Sequence, residues 1–237
     1  MKQILTYLSP DKKFNAEHAM AVKIQIDNSI SLGWRKEDII LATNFEYEYN
    51  GVSSLVIGDD NYCEHTWPAT KIYVIVELFK RDLIGEGLYW YHDFDCFQLN
   101  EFGDVELEKS DMGLTNYGRM PRLCSASMFF KKEARDIFYD LKKEIDRAKT
   151  NEEISIARMI NSSSELKKRI KLLNITYAFH RFNLPSCYKI ADKPIKAAHF
   201  HLTPDKYRFY VEGENKLNMV LIPNKLINIF NKHGFTK

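Results

Sequence analysis

Residues 87–100 (GLYWYHDFDCFQLN) constrain the fold of this chain more than any other stretch. The apolar and aromatic run at residues 88–91 is typical of a buried strand, and it is followed by Asp93 and Asp95. Side chains on an extended chain alternate, so these two carboxylates point to the same side. Neighbouring carboxylates at the end of a buried strand repel each other and are costly to desolvate. A divalent cation such as Mg²⁺ or Mn²⁺ removes that cost, so the pattern indicates a metal site that holds a diphosphate.

The alternative interpretation is that Asp93 and Asp95 simply close the strand in a turn, as aspartate often does. The tripeptide Asp-Phe-Asp alone favours this alternative. Its surroundings favour the metal site, because a helix-like segment and an apolar strand precede the tripeptide and a second motif follows near the C-terminus.

The composition limits the class of protein. The 237 residues can form one large domain or a domain with a small appendage, and a hydrophobic fraction of 45% is enough for a substantial core. A net charge of +2 gives no general attraction to nucleic acid. The four cysteines form no Cys-x-x-Cys pair, which disfavours a zinc or redox site and favours a reducing compartment. Because no apolar run reaches transmembrane length, we expect a cytoplasmic protein.

Strands and helices alternate along the first hundred residues. The pattern predicts strands at residues 4–8, 38–45 and 53–59, a helix capped by Asn15 and ended by Gly33, and a second helix at residues 71–84. This alternation predicts an α/β fold with a mainly parallel central sheet flanked by helices. In such sheets ligands bind at the carboxyl ends of the strands, where the Asp-x-Asp motif falls. The chain has neither a dinucleotide-binding glycine motif nor a P-loop.

The second half of the chain has a different pattern. Residues 101–119 are predicted to form loops around a short strand, and residues 125–130 a further strand. Helices are predicted at about residues 132–148, from Asn151 through Ile160, and at about residues 226–230, with a serine loop or cap at residues 162–164. The tail from Leu184 onwards is looser, with a short strand at residues 207–211.

The order of these elements resembles that of GT-A-type glycosyltransferases, which use nucleotide-sugar donors. Residues 67–71 (WPATK), 90–95 (WYHDFD) and 198–206 (AHFHLTPDK) carry the resemblance. In local sequence the chain is most similar to the galactomannan-galactosyltransferase-like, glycogenin-like and small viral enzymes of this fold. The resemblance implies one GT-A-like domain over residues 1–237. Residues 1–100 would form its nucleotide-binding half, and residues 101–237 an acceptor-side half with a looser C-terminal metal and phosphate segment.

The resemblance also implies roles for individual residues. Asp95 would ligate Mn²⁺ or Mg²⁺, and Asp93 would contact the ribose and help to hold the metal. A C-terminal histidine would complete the metal shell, and His199 fits that role by spacing. His201 is a rival ligand, because an extended chain points both imidazoles the same way and glycogenin-like enzymes usually carry glycine at about this point. Lys206 would contact the diphosphate.

Four further positions each have a functional and a purely structural interpretation. Lys71 resembles the basic residue near the base and ribose in related enzymes, although a solvated lysine in a first helical turn explains it equally well. Asp59 falls where the family builds its base pocket, although a turn explains it too. Glu152 or Glu153 would be the carboxylate base that an inverting enzyme needs. A helix N-terminus favours acidic residues for dipole reasons alone.

The predicted activity is transfer of a sugar from a nucleotide-diphosphate-sugar, a UDP-sugar rather than a GDP-sugar, to an acceptor hydroxyl of a glycan or another molecule. One alternative is a metal-dependent nucleotidyltransferase or phosphohydrolase, but no third carboxylate or glycine-rich phosphate loop is clearly placed. A non-catalytic nucleotide-sugar-binding module is another, but it would not need Asp93, Asp95 and His199 together. The balanced charge gives a nucleic-acid acceptor little support. The sequence indicates neither the sugar, nor the acceptor, nor the stereochemical outcome.

Overall fold

A computed structural model of the protein describes residues 1–103, 105, 107–116, 123–180, 185–199 and 222–235. The strands are β1 (Lys2–Tyr7), β2 (Ile39–Thr43), β3 (Glu48–Tyr49), β4 (Val52–Val56), β5 (Tyr89–His92), β6 (Cys96–Gln98), β7 (Met112–Asn116), β8 (Leu123–Phe130), β9 (Ile170–Leu172), β10 (Phe179–His180) and β11 (Ala197–His199). The helices are α1 (Ala16–Ser31), α2 (Thr70–Lys80), α3 (Arg135–Ala148), α4 (Glu152–Ser162), α5 (Ser164–Arg169), α6 (Pro185–Ile190) and α7 (Asn224–Lys232).

The central sheet has eight strands in the order β3-β4-β2-β1-β5-β8-β7-β9. Its β1–β2, β1–β5, β2–β4 and β7–β9 pairs are parallel, and its β3–β4, β5–β8 and β7–β8 pairs are antiparallel. The prediction of an α/β fold with a mainly parallel sheet is therefore confirmed. A second sheet has the order β10-β11-β6, and its antiparallel β6–β11 pair sets Cys96 opposite His199.

Apolar side chains on the two faces of the sheet pack against different helices. Ile4 of β1 belongs to a cluster with α2 and α3, whereas its neighbour Leu5 belongs to a cluster with α1 and α7. This is the arrangement expected when side chains alternate along a strand that is covered on both faces. Among the residues described here, no helix combines the length and the hydropathy that crossing a bilayer requires.

Several predicted boundaries differ from those observed, for local reasons. The predicted helix at residues 71–84 ends at Lys80, and Asp82 then takes a left-handed conformation with φ of 54°. The predicted strand at residues 53–59 ends at Val56, because residues 59–61 form a 3₁₀ turn. The short elements α6, β9, β10 and β11 were not predicted, since two to six residues carry little periodicity. The strand predicted at residues 207–211 lies outside the described residues.

The predicted helix caps are confirmed. The Asn15 side chain accepts a hydrogen bond from the His18 backbone N–H at 2.8 Å at the start of α1. Ser163 separates α4 from α5 and accepts a hydrogen bond from the Leu166 backbone N–H.

Candidate metal and nucleotide site

Two carboxylates and one imidazole come together beyond the carboxyl end of β5. Asp93 and Asp95 follow this strand directly, and His199 is the last residue of β11. The β6–β11 pairing brings His199 to the Asp-x-Asp motif, and its Nε2 lies 3.2 Å from Asp95 Oδ1. One ligand atom from each of Asp93, Asp95 and His199 lies within 4.8 Å of the other two. Two carboxylates and an imidazole are a donor set that suits Mn²⁺, so these residues fit a divalent metal.

His92 supports the end of β5. Its ring is fully buried, stacks on Trp90 with centroids 3.9 Å apart, and contacts the Gln3 side chain. Its Nδ1 lies 3.0 Å from the Asp93 carbonyl oxygen. Burial lowers the pKa of His92 to about 4, so the imidazole is neutral at pH 7.

Protein donors already hold both carboxylate oxygens of Asp93. The Tyr91 hydroxyl donates to Oδ1 at 2.6 Å, and Lys71 Nζ donates to Oδ2 at 2.8 Å. Burial raises the pKa of Asp93 and the charge of Asp95 raises it further, while the Lys71 ammonium opposes both. These contacts fix the orientation of the carboxylate beside Asp95.

Lys71 is buried, not solvated. Only 5% of its side chain is exposed, and its Nζ lies 3.2 Å from Glu152 Oε1 and 3.3 Å from Ser125 Oγ as well as 2.8 Å from Asp93. Burial alone would lower the pKa of Lys71, but the charges of Asp93 and Glu152 raise it well above its usual value. Lys71 is therefore a protonated cation shared by two carboxylates.

Glu152 and Glu153 begin α4, as predicted, but both side chains are buried. Glu152 Oε1 accepts a hydrogen bond from the Ser125 hydroxyl at 2.8 Å, and Glu153 Oε1 accepts one from the Ser125 backbone N–H at 3.3 Å. Burial would raise the pKa of Glu152, but Lys71 and these hydrogen bonds hold it below its usual value. Both carboxylates thus face the protein interior around β8.

A pocket of about 430 Å³ adjoins the Asp-x-Asp motif at the carboxyl ends of β1 and β5, which is where this class of sheet binds ligands. It is lined by Thr6, Tyr7, Leu8, Glu17, His18, Trp67, Pro68, Thr70, Lys71, Tyr91, Asp93, Phe94 and Asp95. Neither Glu152 nor Glu153 is among these lining residues. Another cavity of about 330 Å³ lies beside β9 and α4, but the described residues that line it include no carboxylate. We therefore place the candidate site at the pocket beside Asp93 and Asp95.

His18 and Trp67 form one wall of this pocket. The two rings meet edge to face with centroids 5.9 Å apart, and 49% of Trp67 is exposed. His18 Nδ1 lies 2.8 Å from Asn15 Oδ1, and burial lowers the pKa of its imidazole. His18 belongs to no motif that the sequence reveals, because only the fold brings α1 next to the Asp-x-Asp motif.

One described site residue that the sequence predicts, Asp59, is not part of this cluster. Asp59 is a surface residue that pairs with Lys12 at 2.8 Å and accepts a hydrogen bond from Asn44, and it does not line the pocket. His201 and Lys206 lie outside the described residues.

No family model and no curated protein matches this chain, but several solved structures do. The galactosyltransferase LgtC, solved with donor and acceptor sugar analogs, matches with a TM-score of 0.60 at 10% identity over 97% of this chain and 100% of that chain. A glycosyltransferase involved in glycosylation of the major capsid of PBCV-1 has a TM-score of 0.55 at 12% identity, covering 84% of this chain and 93% of that one. Mouse xyloside xylosyltransferase 1, in its apo form, has a TM-score of 0.50 at 10% identity, and the match covers 84% of this chain and 96% of that one. The chain therefore has a GT-A-like glycosyltransferase fold, as its sequence predicts.

Proposed function

We propose that this protein is a metal-dependent glycosyltransferase that transfers a sugar from a nucleoside-diphosphate sugar to an acceptor hydroxyl. The observation that carries the proposal is the cluster of Asp93, Asp95 and His199 beside a 430 Å³ pocket. It lies where ligands bind in sheets of this kind. LgtC, which shares the fold, was solved with donor and acceptor sugar analogs, and this supports the same use of the site here.

Asp93, Asp95 and His199 would hold the metal, and the imidazole favours Mn²⁺ over Mg²⁺. A bound metal would supply positive charge close to the departing diphosphate. Lys71 orients Asp93 and opposes the rise in its pKa, since its ammonium lies 2.8 Å from the carboxylate. Lys206 remains our candidate for a diphosphate contact and His201 for an alternative metal ligand.

The donor is proposed to be a UDP-sugar rather than a GDP-sugar, and the acceptor a glycan or another hydroxyl compound. Residues 1–100 would form the nucleotide-binding half and residues 101–237 the acceptor-side half of one domain. Trp67 offers a half-exposed aromatic surface within the pocket. Asp59 remains our candidate for a contact in the base pocket, and it pairs with Lys12 at the surface. The burial of Glu152 and Glu153 disfavours either as the base that deprotonates an acceptor.

Calorimetric titration with a panel of UDP- and GDP-sugars, in MnCl₂ and in EDTA, tests the proposal. We expect one donor to bind in Mn²⁺ and not in EDTA, and we expect Asp95→Ala to abolish this binding. Asp140→Ala removes a surface carboxylate that pairs with Lys143, so it is a matched control and should bind normally. Binding of no donor, or binding indifferent to metal and to Asp95, would contradict the proposal.

A further inference from the structure

A series of buried polar contacts extends from the candidate metal cluster into the protein. Asp93 Oδ2 accepts a hydrogen bond from Lys71 Nζ at 2.8 Å, and the same ammonium lies 3.2 Å from Glu152 Oε1. The Ser125 hydroxyl lies against both partners, 2.8 Å from Glu152 Oε1 and 3.3 Å from Lys71 Nζ. Only 5% of the Lys71 side chain and 4% of the Glu152 side chain are exposed, so water screens their contact little.

Glu152 faces the protein interior and not the pocket beside the Asp-x-Asp motif. It lines a small interior cavity between α2, α4 and β8, and it is absent from the lining of the 430 Å³ pocket. Its second oxygen, Oε2, is buried and has no hydrogen-bond partner within the described part of the chain. Burying a carboxylate in this way is costly, and an apolar residue of similar size is often as stable as a buried ion pair. Stability alone therefore does not account for a carboxylate at this position.

The formal charges suggest what Glu152 does. Without Glu152, no second carboxylate would offset the positive charge of Lys71. That charge would then repel a cation bound to Asp93 more strongly. The formal charges of Asp93, Asp95, Glu152 and Lys71 sum to −2, and without Glu152 the same sum is only −1. We propose that Glu152 is a positioning residue that holds Lys71 and offsets its charge, so that Asp93 remains a strong ligand for a divalent cation. This inference rests on the proposed function, because it takes the cluster to be a metal site.

The size of the effect follows from the contacts. Distances of 3.2 and 2.8 Å place Glu152 Oε1 no more than about 6 Å from Asp93 Oδ2. At such separations the loss of one negative charge from a partly buried site weakens the binding of a divalent ion about tenfold or more. Glu152→Gln removes this charge but keeps the shape of the side chain and an oxygen that accepts hydrogen bonds from Lys71 and Ser125.

The test is to measure Mn²⁺ affinity of the full chain, in the absence of nucleotide, by electron paramagnetic resonance. We expect Glu152→Gln to weaken Mn²⁺ binding about tenfold, and Glu152→Asp, which keeps the charge, to change it less than about threefold. Combining Lys71→Met with Glu152→Gln restores the charge of −2 and should return the affinity to within about threefold of wild type. Glu165→Gln removes the same charge from an exposed pair with Lys168, and it should change nothing. Thermal unfolding in EDTA verifies that each variant is folded.

Two results would overturn this inference alone. The first is that wild type binds Mn²⁺ and the Glu152→Gln variant binds it equally tightly. The other is a double variant that binds no better than Glu152→Gln, which would mean that Glu152 does not act through Lys71. A wild-type protein that binds no Mn²⁺ would overturn both the proposed metal site and this inference.

Discussion

Replacing Lys71 by methionine should destabilise the metal-free protein strongly. Methionine has a similar length, so the change removes charge with little loss of packing. Lys71 is the cation shared by Asp93 and Glu152, at 2.8 and 3.2 Å. Removing one partner of a buried ion pair costs about 3–5 kcal/mol, because it leaves an uncompensated buried charge. At about 2–4 °C per kcal/mol for a chain of this size, we expect Tm to fall by about 6–20 °C.

Differential scanning calorimetry in EDTA and in Mn²⁺ measures this effect. Mn²⁺ at about 100 times its Kd stabilises a protein by about 2.7 kcal/mol, and it should stabilise Lys71→Met more than wild type because the ion replaces the missing cation. Lys168→Met breaks an exposed pair with Glu165, and it should cost no more than about 0.5 kcal/mol. If the free energy of unfolding of Lys71→Met lies within about 1 kcal/mol of the wild-type value, Lys71 is not a buried cation on which Asp93 and Glu152 both depend.

Three further predictions concern the pocket, the core and the C-terminal helix. A bound nucleotide should quench the tryptophan fluorescence of wild type but not of Trp67→Phe, because Trp67 is 49% exposed in the pocket and the quenching needs ring contact. Phe138→Ala should lower the free energy of unfolding, measured in urea, by about 3–5 kcal/mol, since its ring is fully buried. Burial would raise the pKa of Asp27, but hydrogen bonds from Lys232 of α7, from His233 just after it, and from Asn50 and Tyr49 lower it to about 2. Asp27→Asn should therefore cost about 1–2 kcal/mol at pH 7, and urea titrations should show this difference vanishing as the pH falls from about 4 to 2.

The helices and strands of this fold can largely be predicted from the sequence, because each depends on residues that are close together in the chain. The Asn15 cap and the apolar face of α1 involve residues only three or four positions apart, and both are confirmed. Strand β5 and the Asp-x-Asp motif that follows it are a single segment, so their place at the sheet end follows from the order of elements. The helix that was predicted to reach Ile84 ends earlier, near Asp82, which has a left-handed backbone conformation. Hydrophobic periodicity does not reveal such a conformation, so the sequence predicts too long a helix.

The candidate site depends on contacts between distant parts of the chain, and these are harder to predict. His199 reaches Asp95 through the pairing of β6 with β11, two strands of three residues each. Lys71 reaches Glu152 across more than eighty residues, and nothing near Lys71 in sequence distinguishes it from a solvated lysine. Acidic residues at a helix N-terminus usually face water. Only the packing of α4 on β8 shows that Glu152 is buried.

We propose that Asp93, Asp95 and His199 hold a divalent metal beside a nucleoside diphosphate. The decisive experiment is a crystal structure from crystals grown with Mn²⁺ and UDP, with anomalous data collected at the manganese edge. We expect an anomalous peak coordinated by Asp93, Asp95 and His199, with the diphosphate of UDP bound to the same ion and its uridine in the 430 Å³ pocket. Crystals in which UDP is bound while the three residues contact no manganese would show that they do not form the metal site.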